Sequence, residues 1–570
     1  MFPNFTVNLG LRYDRDTGRT DSDLPAQTYL NNLIPTWPNL GAPIPNPNLN
    51  FGPSLGIAWD PWKDGKTAIR AGIGLYYDNV IWNNVLFDRP LRLPTGALLQ
   101  TPAACNAGQG FQLPGVPLSG GQAECGSPGS PVRIGDAASA IAQLQAEYQA
   151  LSPFSLTNPN PNYLQTGFLE PGINFRLGLF APDYKTPRST QINVGIQREL
   201  SPGAVLSVDY VRNVTTGLLL GVDQNRTGDV RYFYKNAALT AISATTSQFG
   251  CGGGTNAAAI SCAIAAGATI ANFAQNGLDS QGDLGGTCAT GCAFGGLNPS
   301  APAMPFLVPA GISKYNALDV KLVYEKTNPF KGLRSVNAQV SYSYSSFKNS
   351  GGGPGVLGVL GGISNSDQDF IVGSLDNDNP NRYFGPSLLN RPNQLSFGVV
   401  SGLPGNFQLS FIGHFYSALS VPIEAPGSGP GAIFRTDFTG DGTTQDPLPG
   451  TVNGAFGSQV NGNSINQLLA QYNNKYGNQA TPAGQVLIQN GLFTLAQLQQ
   501  LGAVAPCVAG GSINSPNCTL QFAPPNQVSM GNLRDFDLKL AWTYKIEAYS
   551  HIIAFQPSVG CFNLFIGVFT

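Results

Sequence analysis

Runs of ten or more residues in which large apolar side chains alternate with small and polar ones recur along the whole chain, and that pattern limits what it can fold into. Near the start, Phe5, Val7, Leu9, Leu11 and Tyr13 oppose Thr6, Asn8, Gly10, Arg12 and Asp14. Side chains on a strand repeat every two residues, so such a run faces an apolar medium on one side and water on the other. Two soluble sheets packed face to face and a transmembrane barrel both satisfy this, and length separates them. A spanning strand takes about 9 to 11 residues, against about 5 to 6 for an ordinary strand. Val336, Ala338, Val340, Tyr342 and Tyr344 alternate with Ser and Gln over the longer span, as do Phe536, Leu538, Leu540, Trp542 and Tyr544. Both runs end in aromatics, which suit the two lipid interfaces. The reading is an all-β fold, a partial antiparallel transmembrane β-barrel of about a dozen strands with long extracellular loops that contain short helices.

Charge is scarce. Only 11% of the 570 residues are charged and the formal net charge is -2, whereas soluble domains carry about 25% charged residues. No Lys/Arg cluster offers an electrostatic footprint for nucleic acid. The one uncharged stretch long enough for a membrane helix, 257–274, is Ala/Gly-rich and interrupted by Ser261, Thr269 and Asn272, so it reads as a loop with a short helix. Met1 leads straight into the first strand, without the basic start and apolar core of a secretory leader. The expectation for a secreted barrel is then that the natural N-terminus is missing from this chain.

Short turns alternate with long connections. Lys63-Asp64-Gly65, Ser201-Pro202-Gly203, the stretch from Asn328 to Gly332 and Leu403-Pro404-Gly405 are tight, and Asp-Gly between alternating runs is a hairpin signal. Connections of about 80–186, 213–313, 347–391 and 418–532 are far longer than compact soluble domains tolerate. Tight turns at one rim and long loops at the other are the asymmetry of an outer-membrane barrel. Within the loops, Asp136 to Leu151, Ile465 to Tyr472 and Leu495 to Leu501 have helical periodicity.

Eight of nine cysteines fall in close pairs inside Gly/Pro-rich stretches: Cys105 with Cys125, Cys251 with Cys262, Cys288 with Cys292, and Cys507 with Cys518. Such spacing suits disulfides that pin loops in an oxidising compartment, and the central four admit three connectivities. Cys561 is left over as a free thiol. Two His in the whole chain and no C-x2-C pair argue against zinc.

Little suggests catalysis. Gly52-Pro53-Ser54-Leu55-Gly56 has the form of a hydrolase elbow, but a membrane-type strand follows where a helix is required. The G-x-G-x-x-G string at 353–358 opens no helix and reads as a loop. His414 and His551 lie in strand-like runs without acidic or Cys partners at ligand spacing, and read as structural. The exception is the segment from Asp437 to Asp446, where Asp437, Asp441 and Asp446 with Gly442 resemble the first half of a calcium loop. Position twelve is Leu448 rather than Glu, so the ligand set is incomplete and weak binding, on the order of 10⁻⁴ to 10⁻³ M, is expected.

Several phrases in order, NLGLRYD at 8–14, NFGPSLGIAWDPWKDGKTAIRAGIGLYYD at 50–78, TPRSTQINVGIQREL at 186–200, KYNALDVKL at 314–322, NRYFGPSLLNRPNQLSFG at 381–398, DPLPGT at 446–451 and TPAGQVLIQNGLFTLAQLQQLGAV at 481–504, resemble the barrel of TonB-dependent outer-membrane receptors, in particular the Oar-like group. The resemblance implies that residues 1–570 are the C-terminal part of such a barrel in the bacterial cell outer membrane. It further implies uptake or export of an unidentified ligand, powered by the TonB system through a missing N-terminal region. The family's plug and its N-terminal carboxypeptidase-regulatory-like domain are not visible, and FNLF at 562–565 is followed by IGVFT rather than the expected strand, so the expectation is a fragment. The alternatives are a passive porin-like barrel, which would normally show charged constriction residues, and a secreted β-rich adhesin. No enzymatic activity is expected, and calcium is the one cofactor considered.

Overall fold

The computed structural model describes residues 4–15, 34, 37, 39, 41–78, 179–280, 291–299, 303–351, 372–427, 429–524, 531–548 and 551–564. Cys105, Cys125, Cys288, the helix expected at 136–151 and the glycine string at 353–358 lie outside them.

Alternation becomes one sheet. The strands β1 (Phe5–Asp14), β2 (Asn50–Trp59), β3 (Thr67–Tyr77), β4 (Arg188–Ser201), β5 (Ala204–Asp223), β6 (Pro305–Phe330), β7 (Leu333–Asn349), β8 (Asn393–Gly402), β9 (Phe407–Tyr416), β10 (Leu533–Trp542) and β11 (Ser558–Cys561) lie side by side in sequence order. Every neighbouring pair is antiparallel. Among the described residues the sheet does not close on itself, so β1 and β11 are its edges.

Register carries the apolar stripe from strand to strand. One row runs Phe5, Trp59, Ile69, Ile196, Val208, Val320, Tyr342, Leu395, Phe415, each opposite the next. The other face carries a row of Gln197, Ser207, Lys321, Ser341, Ser396, His414 and Asp535. A slip of one residue at any pair would exchange the faces, so the pattern itself fixes the register. The apolar face is uncovered: Leu9 is 83% exposed and Leu11 71%. A sandwich would bury this face against a second sheet; here it is bare because lipid is its solvent. Aromatics flank the band, with Phe407 stacked on Trp542 at 6.3 Å at the short-turn rim and Tyr13 against Phe51 at 4.7 Å at the other.

The short turns form as their residues demand. Asp60 accepts the N–H of Lys63 and of Gly65, each at 2.9 Å, closing the β2–β3 hairpin. At the β4–β5 turn Gly203 has φ +82°, and a Cβ there would sit 1.9 Å from the carbonyl oxygen of Glu325, so only glycine fits.

Two loop boundaries differ from expectation. The loop expected at 213–313 is shorter, because β5 continues to Asp223 and β6 begins at Pro305. Leu220, Val222, Phe306 and Leu307 are at most 3% exposed; above the lipid these strands are covered on both faces and lose the alternation that marks them below. The loop expected at 347–391 gives up three residues to β7, which ends at Asn349, and Gly385–Pro386 pairs back onto it. Beyond β10 the chain divides: His551–Phe555 forms its own hairpin with Tyr544–Ala548, and Ser558–Cys561 joins the wall.

The long loops pack into a helical lobe at one rim. Its longer helices are α1 (Lys235–Gln248), α2 (Ala257–Ala265), α3 (Ile465–Lys475), α4 (Pro482–Gln489) and α5 (Leu495–Leu501). Thr494 and Gln497 form a reciprocal cap at the start of α5, and Gly502 ends it in a left-handed conformation. Ile242, Ile260, Phe273 and Phe294 from the β5–β6 loop share a core with Phe434, Leu487 and Leu498 from the β9–β10 loop, all fully buried. Phe294 meets Phe434 edge-on at 5.7 Å. No helix among the described residues is long and apolar enough to cross a membrane, the 257–274 stretch included.

Candidate functional site

The β5–β6, β7–β8 and β9–β10 loops meet at a buried knot of acids. Asp437, Asp441 and Asp446 are 0%, 2% and 1% exposed, and Asp229 and Asp376 from the other two loops are 0% and 1%. Backbone turns wrap the carboxylates: Asp437 accepts the N–H of Thr439 at 3.1 Å and of Gly442 at 3.0 Å. Asp446 accepts those of Phe438 at 2.7 Å and Thr439 at 3.0 Å. Gly442, with φ +89°, lies where a Cβ would come 2.0 Å from the carbonyl oxygen of Thr227. Close approach of two loops therefore requires glycine there.

Two threonine hydroxyls link the acids. Thr439 Oγ1 is 3.3 Å from Asp437 Oδ1, 3.0 Å from Asp441 Oδ1 and 3.2 Å from Asp446 Oδ2. Thr443 Oγ1 is 2.6 Å from Asp441 Oδ1 and 2.9 Å from Asp446 Oδ1. Each hydroxyl has a single proton to donate, so most of these oxygen pairs have no proton between them. The consequence is electrostatic. Burial raises Asp437 well above the ordinary carboxylate range, and the charges of Asp446 and Asp441 raise it further, against the pull of the Gly440 and Gly442 N–H groups. Asp446 is raised well above that range by burial and by Asp441, and Asp376 is raised by burial and by Asp441. Burial, followed by the charge of Asp446, pushes Tyr383 up as well.

Cations stand around the rim of the knot. Arg382 pairs with Asp376, and Arg231 pairs with both Asp229 and, at 2.6 Å, Asp378. The Asn377 N–H donates to Asp441, and that of Val230 to Gly440 O at 3.0 Å, stitching the three loops together. No three His, Cys, Asp or Glu side chains among the described residues are placed to share one metal ion; the acids of the knot approach one another through threonine hydroxyls. Leu448, at the twelfth position of the calcium-like string, is a core residue beside Leu469 and Tyr472. Asp229, Arg231, Asp376 and Arg382 carry no local sequence signal for this site, because folding brings them to the string from loops far away in the chain.

The other singled-out residues lie elsewhere. Ser54 sits inside β2, opposite Gly10 and Gly74, so the elbow-like string is wall. His414 lies on the polar face of β9 within 3.0 Å of Ser396 Oγ, and His551 in the separate hairpin. Cys251 is bonded to Cys262, and Cys507 to Cys518. Cys292 is also disulfide-bonded, and Cys561 is an exposed free thiol.

Comparison with known proteins agrees with the wall. The family described as an outer membrane beta barrel domain matches residues 1–495. No curated protein matches. The outer membrane transporter YddB from Escherichia coli is similar in structure over 90% of this chain and 37% of its own, at 9% identity and a TM-score of 0.35. The FrpB iron transporter from Neisseria meningitidis covers 75% of this chain and 32% of its own, at 11% identity and a TM-score of 0.28. For the RagAB peptide transporter the values are 90%, 40%, 8% and 0.33. The chain spans 40% or less of the length of these structures.

Proposed function

This chain belongs to the outer membrane beta barrel domain family, and we propose that it forms the wall and ligand-facing loop lobe of a TonB-dependent receptor of the Oar-like kind. A ligand would bind at the lobe and pass through the barrel, with energy relayed from the inner membrane. The carrying observation is the division of the molecule: a lipid-facing wall with tight turns at one rim, and at the other rim loops that fold into a shared core rather than fringe an open mouth. A passive pore has no use for so large a packed lobe. The ordered sequence phrases supply the TonB part of the reading. The test is conductance across a planar bilayer with protein purified from its native outer membrane. A receptor conducts little until force or denaturant opens it, whereas a steady ohmic current at once would favour the passive pore.

We also propose that the loop from Asp437 to Asp446 takes calcium weakly. What supports this is the gathering of carboxylate and hydroxyl oxygens from positions 437, 439, 441, 443 and 446, spaced 2.6 to 3.3 Å apart with too few protons between them. A hard cation would relieve that repulsion. Calorimetric titration with calcium chloride checks it: heat of binding should be lost in Asp441→Ala, and identical traces for both proteins would leave a purely polar turn.

A further inference from the structure

On the polar, lumen-facing side of the wall, one row crosses β8, β9 and β10 as Ser396, His414 and Asp535, each opposite the next. His414 Nδ1 is 3.0 Å from Ser396 Oγ and 3.2 Å from the Tyr416 hydroxyl, and those two oxygens are 3.1 Å apart. The ring is thus held at one nitrogen by two hydroxyls. Asp535 Oδ1 is buried and has no hydrogen-bond partner, whereas Asp537, two residues on and on the same face, accepts the Asn563 N–H at 2.9 Å. A buried carboxylate oxygen without a donor is costly to leave so. Hydrolysis is not the use of this row. The N–H groups around Ser396 belong to a strand paired on both sides, so none is free to stabilise an oxyanion.

We propose that His414 Nε2 and Asp535 Oδ1 together form a subsite for a divalent transition-metal ion such as Cu²⁺ or Zn²⁺ on the lumen wall, with water filling its other positions. Imidazole and carboxylate are the donor pair these ions take. Directly opposite residues of an antiparallel pair have Cβ atoms about 4.5 to 5.5 Å apart, which brings both side chains within reach of one ion. When Nδ1–H donates to Ser396 Oγ or Tyr416 Oη, the tautomer is fixed with the Nε2 lone pair free, as it is in metal-bound histidines. The row lies toward the β9 end that leads into the loop lobe, so a ligand coming down from the loops meets it early. The site depends only on which face is the lumen, not on TonB coupling or on the calcium reading.

The full chain, purified in detergent from outer membranes, should bind about one equivalent of Cu²⁺ with the electron paramagnetic resonance signature of a single imidazole nitrogen. The chain holds two His, so the background is small. His414→Gln should abolish that signature and His551→Gln should leave it. Asp535→Asn, which keeps shape, should weaken binding at least tenfold. Ser396→Ala, a positioning change, should weaken it about 10- to 100-fold while keeping the nitrogen signature. Unheated gel mobility checks that each variant keeps its barrel; should His414→Gln lose it, Asp535→Asn carries the test. Binding unchanged in Asp535→Asn, or lost in His551→Gln, would overturn the proposal.

Discussion

Val194 sits at the middle of β4, on the apolar face between Ala71 of β3 and Tyr210 of β5, and is 48% exposed. Its neighbour Asn193 faces the other way, between Gly72 and Val211. If the apolar face met water, Val194→Arg would act as a surface substitution, within about 0.5 kcal/mol of neutral. In lipid, an arginine near the bilayer midplane of a barrel wall costs about 2 to 4 kcal/mol, a factor of about 30 to 700 in the folding equilibrium at about 1.4 kcal/mol per tenfold. Asn193→Arg places the same charge in the aqueous lumen and should cost less than about 1 kcal/mol. The assay is urea unfolding in phosphatidylcholine vesicles followed by tryptophan emission, with Trp59 and Trp542 reporting from the rim. The difference between the two variants is the quantity of interest, since both add one arginine to the same strand. Equal destabilisation by both, or none by Val194→Arg, would refute the assignment of faces.

The lobe should be more stable in acid. Asp437 and Asp446 are held above their unfolded value of 3.8, and a raised acid favours the folded state where it is protonated; lobe stability is therefore highest below that value and declines as pH rises through the window up to the raised values. Asp446→Asn should flatten this decline, measured by thermal melts at stepped pH without calcium. Phe434→Ala should cost about 3 to 5 kcal/mol of lobe stability, because the ring is fully buried against Phe294, and denaturant melts would contradict this if the loss stayed under about 1 kcal/mol. Reducing Cys507–Cys518, which closes a separation of 11 residues, should cost about 2 to 3 kcal/mol, read as a lower melting temperature with reductant than without.

How much could be read in advance followed the solvent around each segment. Where lipid faces water across the wall, as in β1 or β10, every second residue must be apolar, and the strands are plain in the sequence. The upper parts of β5 and β6 are covered by loops on both faces, so Phe306, Leu307 and Leu220 form unbroken apolar patches with no period. α5 was legible because Thr494, Gln497 and Gly502 mark both its ends. α1 has no side-chain cap and consists largely of Ala, Thr and Ser, which gives neither a start signal nor a strong stripe. The Asp437 to Asp446 string was visible as a polar turn, but its partners Asp229, Asp376 and Arg382 come from loops 55 or more residues away, where no local rule points to them.

The core shared by the β5–β6 and β9–β10 loops has a mechanical consequence. In the wall these two hairpins are separated by β7 and β8, so the packed aromatic centre ties together stretches of the rim that have no ladder bond to each other. It acts as a chord across an arc. The rim cannot splay or flatten there without shearing Phe294 from Phe434, and a force that tilts the lobe is delivered to four strands at once.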